Sequence, residues 1–160
     1  MEPQSKSQLS LVNSDSYDGY NPQLLASQEL IQRFWPQVAL ILRTCVNDAA
    51  PGLSDLERIH TDLYAGRKQL FVVHKDLDVK LAIVTEVNEY ADVAALSIVA
   101  LGGEQLELFK SKYWAAFKGW AYMNGIRTIE ADVSPAMERI VKPYGFERES
   151  IRVRMPLTGE

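Results

Sequence analysis

The most constraining feature of the chain is a run of three strand-like segments, at 69–75, 79–87 and 92–101, separated only by short turns. Segments of this length, rich in Val, Ile and Leu and bounded by Asp, Asn and Gly, are typical of β-strands. The third segment is almost uniformly apolar, which indicates a central strand covered on both faces. The three segments therefore predict an antiparallel meander at the centre of the fold, ended by Gly102 and Gly103.

Helical periodicity precedes the meander. Apolar residues recur at steps of three and four from about residue 27, which predicts one buried helical stripe formed by Leu30, Phe34, Val38, Ile41 and Cys45. Pro36 lies inside this run and predicts a kink or a fresh helix start. Ser54 and Glu57 have the spacing of a capping box, so a second, short helix is expected to begin there and to end near Gly66.

Helices and single strands alternate after the meander. A long helix is expected at 104–124 with Gly125 as its stop, then a strand at 127–133. Ser134 and Pro135 open a further helix, and residues 146–156 are expected to close the chain as a strand. A meander followed by right-handed crossovers predicts an α/β (α+β) fold with a mixed, mostly antiparallel central sheet flanked by helices.

The first 26 residues differ from the rest in being polar and rich in Ser, Gln and Asn. Such a segment buries too little apolar surface to offset its ordering entropy. We therefore divide the chain into an N-terminal arm (1–26) and a domain (27–160). Two interpretations remain open: an unattached terminus, or an extended arm that lies on a neighbouring subunit through Leu9, Leu11, Tyr17 and Tyr20.

Composition excludes several classes of protein. The net charge of −4 argues against a general nucleic-acid binder, because phosphate affinity rests on clustered Lys and Arg. Cys45 is the single cysteine, so no internal disulfide and no thiolate metal site is expected. The longest charge-free apolar run, 93–101, is too short to cross a membrane. The first residues show no secretory signal, so we expect a protein that is used inside a cell.

The predicted order of elements, with Tyr144, Gly145 and Phe146 after the last helix, resembles the GNAT fold of acyl-CoA-dependent N-acetyltransferases. The resemblance covers roughly residues 34–157. It is closer to small GNAT-like proteins of tailed bacteriophages, and the pieces that carry it are 63–70, 82–87, 101–103, 119–125 and 139–146. It implies a GNAT-like domain, acetyl-CoA as cofactor if the protein is an enzyme, and the virion or the host cytoplasm as its location.

The acyl-CoA loop of GNAT enzymes has the pattern Arg/Gln-x-x-Gly-x-Gly/Ala before a helix. Its glycines let backbone N–H groups approach the pyrophosphate. Here the matching stretch, 100–106, keeps Gly102, Gly103 and Gln105, which are the candidate cofactor-binding residues. It lacks the basic residue and the Gly-x-Gly spacing, and Glu104 places a negative charge beside the phosphate position. The resemblance therefore implies a degenerate acyl-CoA site.

The proton-transfer groups of the resemblance are also altered. Many GNAT enzymes carry a Tyr five residues before the Phe of the Gly-Phe pair, and here Val141 stands at that position. Tyr144 is the candidate replacement acid, with a packing role as the alternative. Glu86 is the candidate general base, with an ordinary solvent-facing strand residue as the alternative. His60 and His74 have no second ligand at a metal-binding spacing, so no metal is expected.

A strip of arginines near the C-terminus is the last candidate site. Arg148, Arg152 and Arg154 share one face of the expected final strand by its period of two. This strip is a candidate partner-binding surface, with a solvated strand face as the alternative.

We interpret the chain as a GNAT-fold phage protein with a degenerate acyl-CoA site. On this interpretation it is a non-catalytic, virion-associated structural or accessory protein that binds other virion proteins or further copies of itself. One alternative is an active acetyl-CoA-dependent N-acetyltransferase acting on a protein or a small amine. Another is a phage protein that binds a host enzyme after infection.

Overall fold

The computed structural model of the protein describes residues 19–48, 55–104, 106–133 and 135–159. Its strands are β1 (Asn21–Leu24), β2 (Gln69–Lys75), β3 (Asp78–Glu89), β4 (Ala94–Gly103) and β5 (Ile126–Ala131). Its helices are α1 (Gln28–Asp48), α2 (Leu56–Tyr64), α3 (Leu106–Lys112), α4 (Trp114–Met123) and α5 (Pro135–Val141), followed by a 3₁₀ turn (Lys142–Tyr144). Several residues named above lie outside the described residues: Leu9, Leu11, Tyr17, Ser54, Gln105 and Ser134.

The five strands form one sheet in the order β1-β2-β3-β4-β5. The first four pair antiparallel, and β5 pairs parallel with β4 after the α3–α4 crossover. The predicted mixed, mostly antiparallel sheet flanked by helices is confirmed. β1 belongs to the segment that we assigned to the arm, and it pairs with β2 along its whole length.

Helices cover both faces of the sheet, and each face has its own core. The α1–α2 face buries the alternate residues Leu70 and Val72 of β2, with Ala82 and Val84 of β3, beneath the helices. The α3–α4 face buries Val73, Leu81, Ile83 and Leu96 against an aromatic cluster made of Phe109, Tyr113, Trp114 and Phe117, with Trp120, Tyr144 and Phe146 around it. The period of two along each strand separates the two cores.

The first helix packs through the expected residues Leu30, Phe34, Val38 and Ile41, whereas the side chain of Cys45 lies outside the described part of the chain. α1 continues through Pro36 as one helix. The N-cap of α2 is Asp55 and not Ser54, because the Asp55 carboxylate accepts a hydrogen bond from the Arg58 N–H at 2.8 Å. A carboxylate at this position satisfies an N–H that has no partner within the helix.

Three expectations from the end of the meander onward are wrong. β4 does not stop before Gly102 but continues through Gly103, because both glycines pair with β3. The expected long helix is two helices, since the backbone at Tyr113 leaves helical geometry, with φ −121°. Residues 146–159 form no strand, because the segment has no backbone pairing with the sheet, and its apolar side chains beyond Phe146 are exposed.

Candidate functional site

The sheet opens where β4 and β5 part. The two strands pair from Ala94 and Ile126 to Ile98 and Ala131, and β4 then continues to Gly103 paired only with β3. The register with β3 slips at this point, because Val84 pairs with Ala100 and Thr85 with Ile98. Val99 is therefore an extra residue, and such a bulge re-aims the strand. Ligands of open α/β sheets bind beyond the carboxyl ends of diverging strands, so this opening is the candidate site.

The two glycines at the end of β4 are held by close packing. A Cβ added to Gly102 would lie 3.0 Å from the Ile41 carbonyl oxygen of α1. A Cβ added to Gly103 would lie 2.3 Å from the Lys80 carbonyl oxygen of β3, and Gly103 has a φ of +133°. Only glycine fits such a close approach at this φ. The contacts with α1 and β3 thus explain both residues without a ligand.

Glu104 continues this attachment to β3. Its backbone N–H donates to the Lys80 carbonyl at 2.9 Å, and its carboxylate lies 3.5 Å from the Lys80 ammonium. The N–H of Glu104 is thereby used by the sheet and is not available to a phosphate group. The Glu104 carboxylate also places a negative charge just before α3, where the acyl-CoA loop of GNAT enzymes would place the pyrophosphate.

Tyr144, the candidate acid, is a packing residue between helices. Its hydroxyl donates to the Leu106 carbonyl at 2.9 Å, and its own carbonyl accepts a hydrogen bond from the Trp114 indole at 2.9 Å. Burial, together with the charge of Glu107, raises the pKa of Tyr144. Val141, which stands where GNAT enzymes carry the acid, lies half-buried at the end of α5.

Glu86, the candidate base, lies on the α1–α2 side of β3. Its carboxylate forms an ion pair with the Lys68 ammonium at 3.0 Å. Lys68 also lies 2.7 Å from the buried carboxylate of Asp62, and its side chain is only 12% exposed. Glu86 is therefore one end of a three-residue charge chain, and it cannot accept a substrate proton without competing with Lys68.

The charge chain shifts the pKa values of Asp62 and Lys68. The hydrogen bond from Lys68 holds the pKa of Asp62 below its ordinary value, with further help from Arg67. Burial by itself would lower the pKa of Lys68, but its hydrogen bonds to Asp62 and Glu86 outweigh burial and raise it. The contacts of Lys68 with Asp62 and Glu86 thus form a structural ion-pair network.

Sequence reasoning missed a second carboxylate beside Glu86. Ser97 of β4 pairs with Glu86 on one side and with Glu130 of β5 on the other, so the three residues form a row across the sheet. Glu130 accepts hydrogen bonds from the Asn88 amide at 3.0 Å and the Tyr90 hydroxyl at 2.8 Å. The bond to Glu130 raises the pKa of Tyr90. The position of Glu130 near the end of an isolated strand was the available signal.

The predicted partner-binding residues that the structure describes lie in two places, Tyr20 beside β3 and the arginines in the C-terminal segment. The Tyr20 hydroxyl donates to the Asp78 carboxylate, and the Lys80 ammonium lies 5.4 Å from the centre of its ring, so Tyr20 contacts its own chain. Arg148 binds the Glu138 carboxylate through two nitrogens, at 2.6 and 3.0 Å. Arg152 binds Asp132 at 2.7 Å.

The arginine strip itself is not formed as expected. Because residues 146–159 are not a strand, the shared strand face that would align Arg148, Arg152 and Arg154 is absent from the described chain. The two contacts above instead tie the first part of this segment to α5 and to the end of β5.

The two histidines contribute to packing. His60 stacks on Trp35 with ring centres 4.4 Å apart. His74 contacts the Asp76 carbonyl and the Gln23 side chain, each at 2.7 Å. Within the described ranges, no group of three or more His, Cys, Asp or Glu side chains is placed to hold a metal ion. None of the described helices is long and apolar enough to span a membrane.

Comparison with solved structures connects this geometry to known proteins. An aminoglycoside acetyltransferase from an uncultured soil metagenomic sample, solved with sisomicin, superimposes with a TM-score of 0.63 at 12% identity, over 89% of this chain and 97% of that one. This chain has the GNAT acetyltransferase fold. No family model and no curated protein matches the sequence.

Two further structures share the GNAT fold. A predicted acetyltransferase from Clostridium acetobutylicum, solved with acetyl-CoA, has a TM-score of 0.61 at 10% identity over 86% of this chain and 96% of that one. Glucosamine-6-phosphate N-acetyltransferase from Arabidopsis thaliana has a TM-score of 0.58 at 10% identity over 86% of this chain and 99% of its own. Identities this low establish the GNAT fold alone.

Proposed function

We propose that this protein uses the GNAT fold without acyl transfer, as a non-catalytic structural or accessory component of a phage particle that acts through protein–protein contacts. The observation that supports the absence of acyl transfer is the attachment of the glycine segment, residues 102–104, to β3. The Glu104 N–H donates to Lys80, and Gly103 meets the same carbonyl too closely for any side chain. A phosphate-binding loop needs its N–H groups directed at the ligand.

The proton-transfer groups support the same conclusion. The Glu86 carboxylate is paired with the Lys68 ammonium at 3.0 Å, and the Tyr144 hydroxyl already donates to a helix carbonyl. A general base has to be within reach of the substrate amine, and a general acid has to point at the leaving thiolate. Each candidate group is used by the fold in a different contact.

The phage assignment rests on the resemblance of the sequence to small GNAT-like phage proteins. Mass spectrometry of purified virions tests it, and we expect the chain to copurify with the particle through density-gradient purification. Its absence from virions that contain their other structural proteins would reject the virion role.

An active N-acetyltransferase is the second candidate, and the opening between β4 and β5 favours it. The row of Glu86, Ser97 and Glu130 and the bulge at Val99 lie on the strands that border this opening, where an acceptor amine could be held. Incubation with acetyl-CoA and a panel of amines, followed by detection of released CoA thiol, separates the two candidates. We expect no release above the protein-free blank. Release that is lost in Glu130→Gln and Glu86→Gln would support the enzyme instead.

A further inference from the structure

An open cavity of about 400 Å³ lies in the groove between the start of α1 and the end of α2. Its lining consists of Gln28, His60, Thr61, Tyr64 and Ala65. A volume of this size is within the range of pockets that hold small ligands. The acyl-CoA loop and the candidate proton-transfer groups use none of these five residues.

The cavity is remote from the opening between β4 and β5. The helix α1 contacts Gly102, at the end of β4, through Ile41, which follows Gln28 by 13 residues. Because an α-helix rises about 1.5 Å per residue, the cavity lies about 20 Å along α1 from the glycine segment. A ligand bound here leaves the acyl-CoA position untouched, so this site is independent of the proposed function.

One wall of the cavity is built from aromatic rings. His60 lies flat on Trp35, with ring centres 4.4 Å apart and planes 7° apart. Tyr64, which is 42% exposed, meets His60 edge-on, with ring centres 6.1 Å apart and planes at 68°. The Gln32 side chain also bonds Nε2 of His60 at 3.3 Å, so the imidazole is held from two sides. A wall fixed in this way loses little entropy when a ligand packs against it.

The same lining presents polar groups that the fold does not use. The hydroxyls of Thr61 and Tyr64 have no hydrogen-bond partner among the described residues. Gln28 donates its amide N–H to the Tyr64 carbonyl at 2.9 Å, which leaves the amide oxygen as an acceptor. His60 donates from Nε2 to Gln32, which leaves Nδ1 of the neutral ring as an acceptor. A matching ligand therefore both donates and accepts hydrogen bonds.

The charge of the lining selects the class of ligand. Of the described residues that line the cavity, none is an acid, a lysine or an arginine. A phosphate, a carboxylate or an ammonium group would lose hydration here without an ionic partner. An uncharged ligand with many hydroxyls keeps its hydrogen bonds, because the lining offers both donors and acceptors.

The arrangement of the rings selects the shape of the ligand. A planar nucleobase is held best between parallel rings, but Trp35 already covers one face of His60 and Tyr64 stands edge-on to it. A hexose has a different requirement. The C–H bonds on one face of its ring pack against an aromatic face, which carries partial negative charge, while its hydroxyls point outward around the rim.

We propose that the cavity between α1 and α2 binds an uncharged hexose unit. The rings of His60 and Tyr64 contact the apolar face of the sugar, and Gln28 and Thr61 bond its hydroxyls. Ala65, at the end of α2, leaves the space that the sugar ring fills.

Titration of the isotope-labelled full chain, followed by NMR, tests the proposal. The probes are glucose, galactose and N-acetylglucosamine, and we expect at least one to shift the ring signals of His60 with a dissociation constant of about 1–10 mM. The signals of His74, which contacts Asp76 and Gln23, should stay in place and serve as an internal control. Glucosamine carries an ammonium group and should bind about 5-fold more weakly than N-acetylglucosamine, and cytidine should not bind.

Substitutions place the sugar in the cavity. Ala65→Trp fills the space and should abolish saturation transfer from the protein to the sugar, whereas Ala115→Trp, on the exposed side of α4, is the matched control and should preserve it. Thr61→Val removes a hydroxyl with little change of shape and should weaken binding by about 5-fold. Circular dichroism checks that each variant keeps the wild-type fold.

Three results would overturn the proposal. The first is the absence of saturable shifts at His60 with all three neutral sugars up to about 50 mM. The second is binding of glucosamine or cytidine as tight as that of the best neutral sugar. The third is saturation transfer that survives Ala65→Trp or is lost equally in Ala115→Trp.

Discussion

Replacement of Gly103 by alanine tests whether the glycine segment serves the sheet. The added Cβ would lie 2.3 Å from the Lys80 carbonyl oxygen, whereas ordinary van der Waals contact begins at 3.4 Å. The strand therefore has to move by about 1 Å away from β3. Such a movement breaks the hydrogen bond from the Glu104 N–H to the same carbonyl.

The loss in the free energy of unfolding is the sum of two effects. A side chain at a φ of +133° is strained by about 1–3 kcal/mol. The lost hydrogen bond adds about 1 kcal/mol. Gly103→Ala should therefore lower the free energy of unfolding by about 2–4 kcal/mol. For a urea dependence of about 2 kcal/mol/M, the midpoint falls by about 1–2 M.

Urea unfolding followed by tryptophan fluorescence measures this change, and Gly119→Ala is the matched control. Gly119 lies inside α4 at an ordinary φ, with no atom within 4 Å of an added Cβ. The same substitution there should stabilise the protein by about 0.5–1 kcal/mol, because alanine is the better helix former. If Gly103→Ala unfolds at the wild-type midpoint, the sheet does not require this glycine and our argument against a ligand role fails.

Two other predictions concern the charge chain and the anchoring of the C-terminal turn. The pKa of Asp62 is lower in the folded protein than its ordinary value of 3.8, so Asp62 stabilises the fold above that pH and this stabilisation is lost as the pH falls through the folded pKa. Lys68→Met removes the main cause of the lowered pKa. It should therefore reduce the difference in the free energy of unfolding between about pH 6 and pH 3. Urea midpoints at the two pH values measure this difference, and an unchanged difference would contradict the assignment. Trp114→Phe removes the hydrogen bond to the Tyr144 carbonyl and should cost about 1–2 kcal/mol in chemical denaturation. Trp35→Phe, which changes a half-buried ring stacked on His60, should cost less, and an equal loss would mean that the Trp114 bond contributes nothing.

Local patterns were enough to predict most of the fold. The first strand of the meander was expected at 69–75 and forms at Gln69–Lys75, because its alternation and its bounding turn are both encoded locally. The end of β4 was not predictable in the same way. Two adjacent glycines usually interrupt a strand, and only the close approach of α1 and β3 makes them the residues that fit.

The C-terminal segment shows a second limit of prediction from local sequence patterns. Alternation predicts that a strand can form, but it does not say which edge the strand will join. Arg148 and Arg152 were read as one strand face, whereas each forms an ion pair with its own chain. Contacts of this kind depend on where α5 and β5 come to lie, which no local pattern contains.

The candidate site was predicted only in part. Glu86 was named from its place near the end of a strand, but its ion pair with Lys68 depends on the approach of α2. Glu130 was missed because the row with Ser97 exists only once β5 has paired with β4. Residues on three separate strands cannot be aligned before the register is known.

Calorimetric titration of the full chain with acetyl-CoA tests the central claim most directly. The account predicts no saturable heat at millimolar ligand, because the N–H of Glu104 and the close contact at Gly103 are used by β3. Saturable binding with one acetyl-CoA per chain, weakened by Gly103→Ala but not by Gly119→Ala, would contradict it.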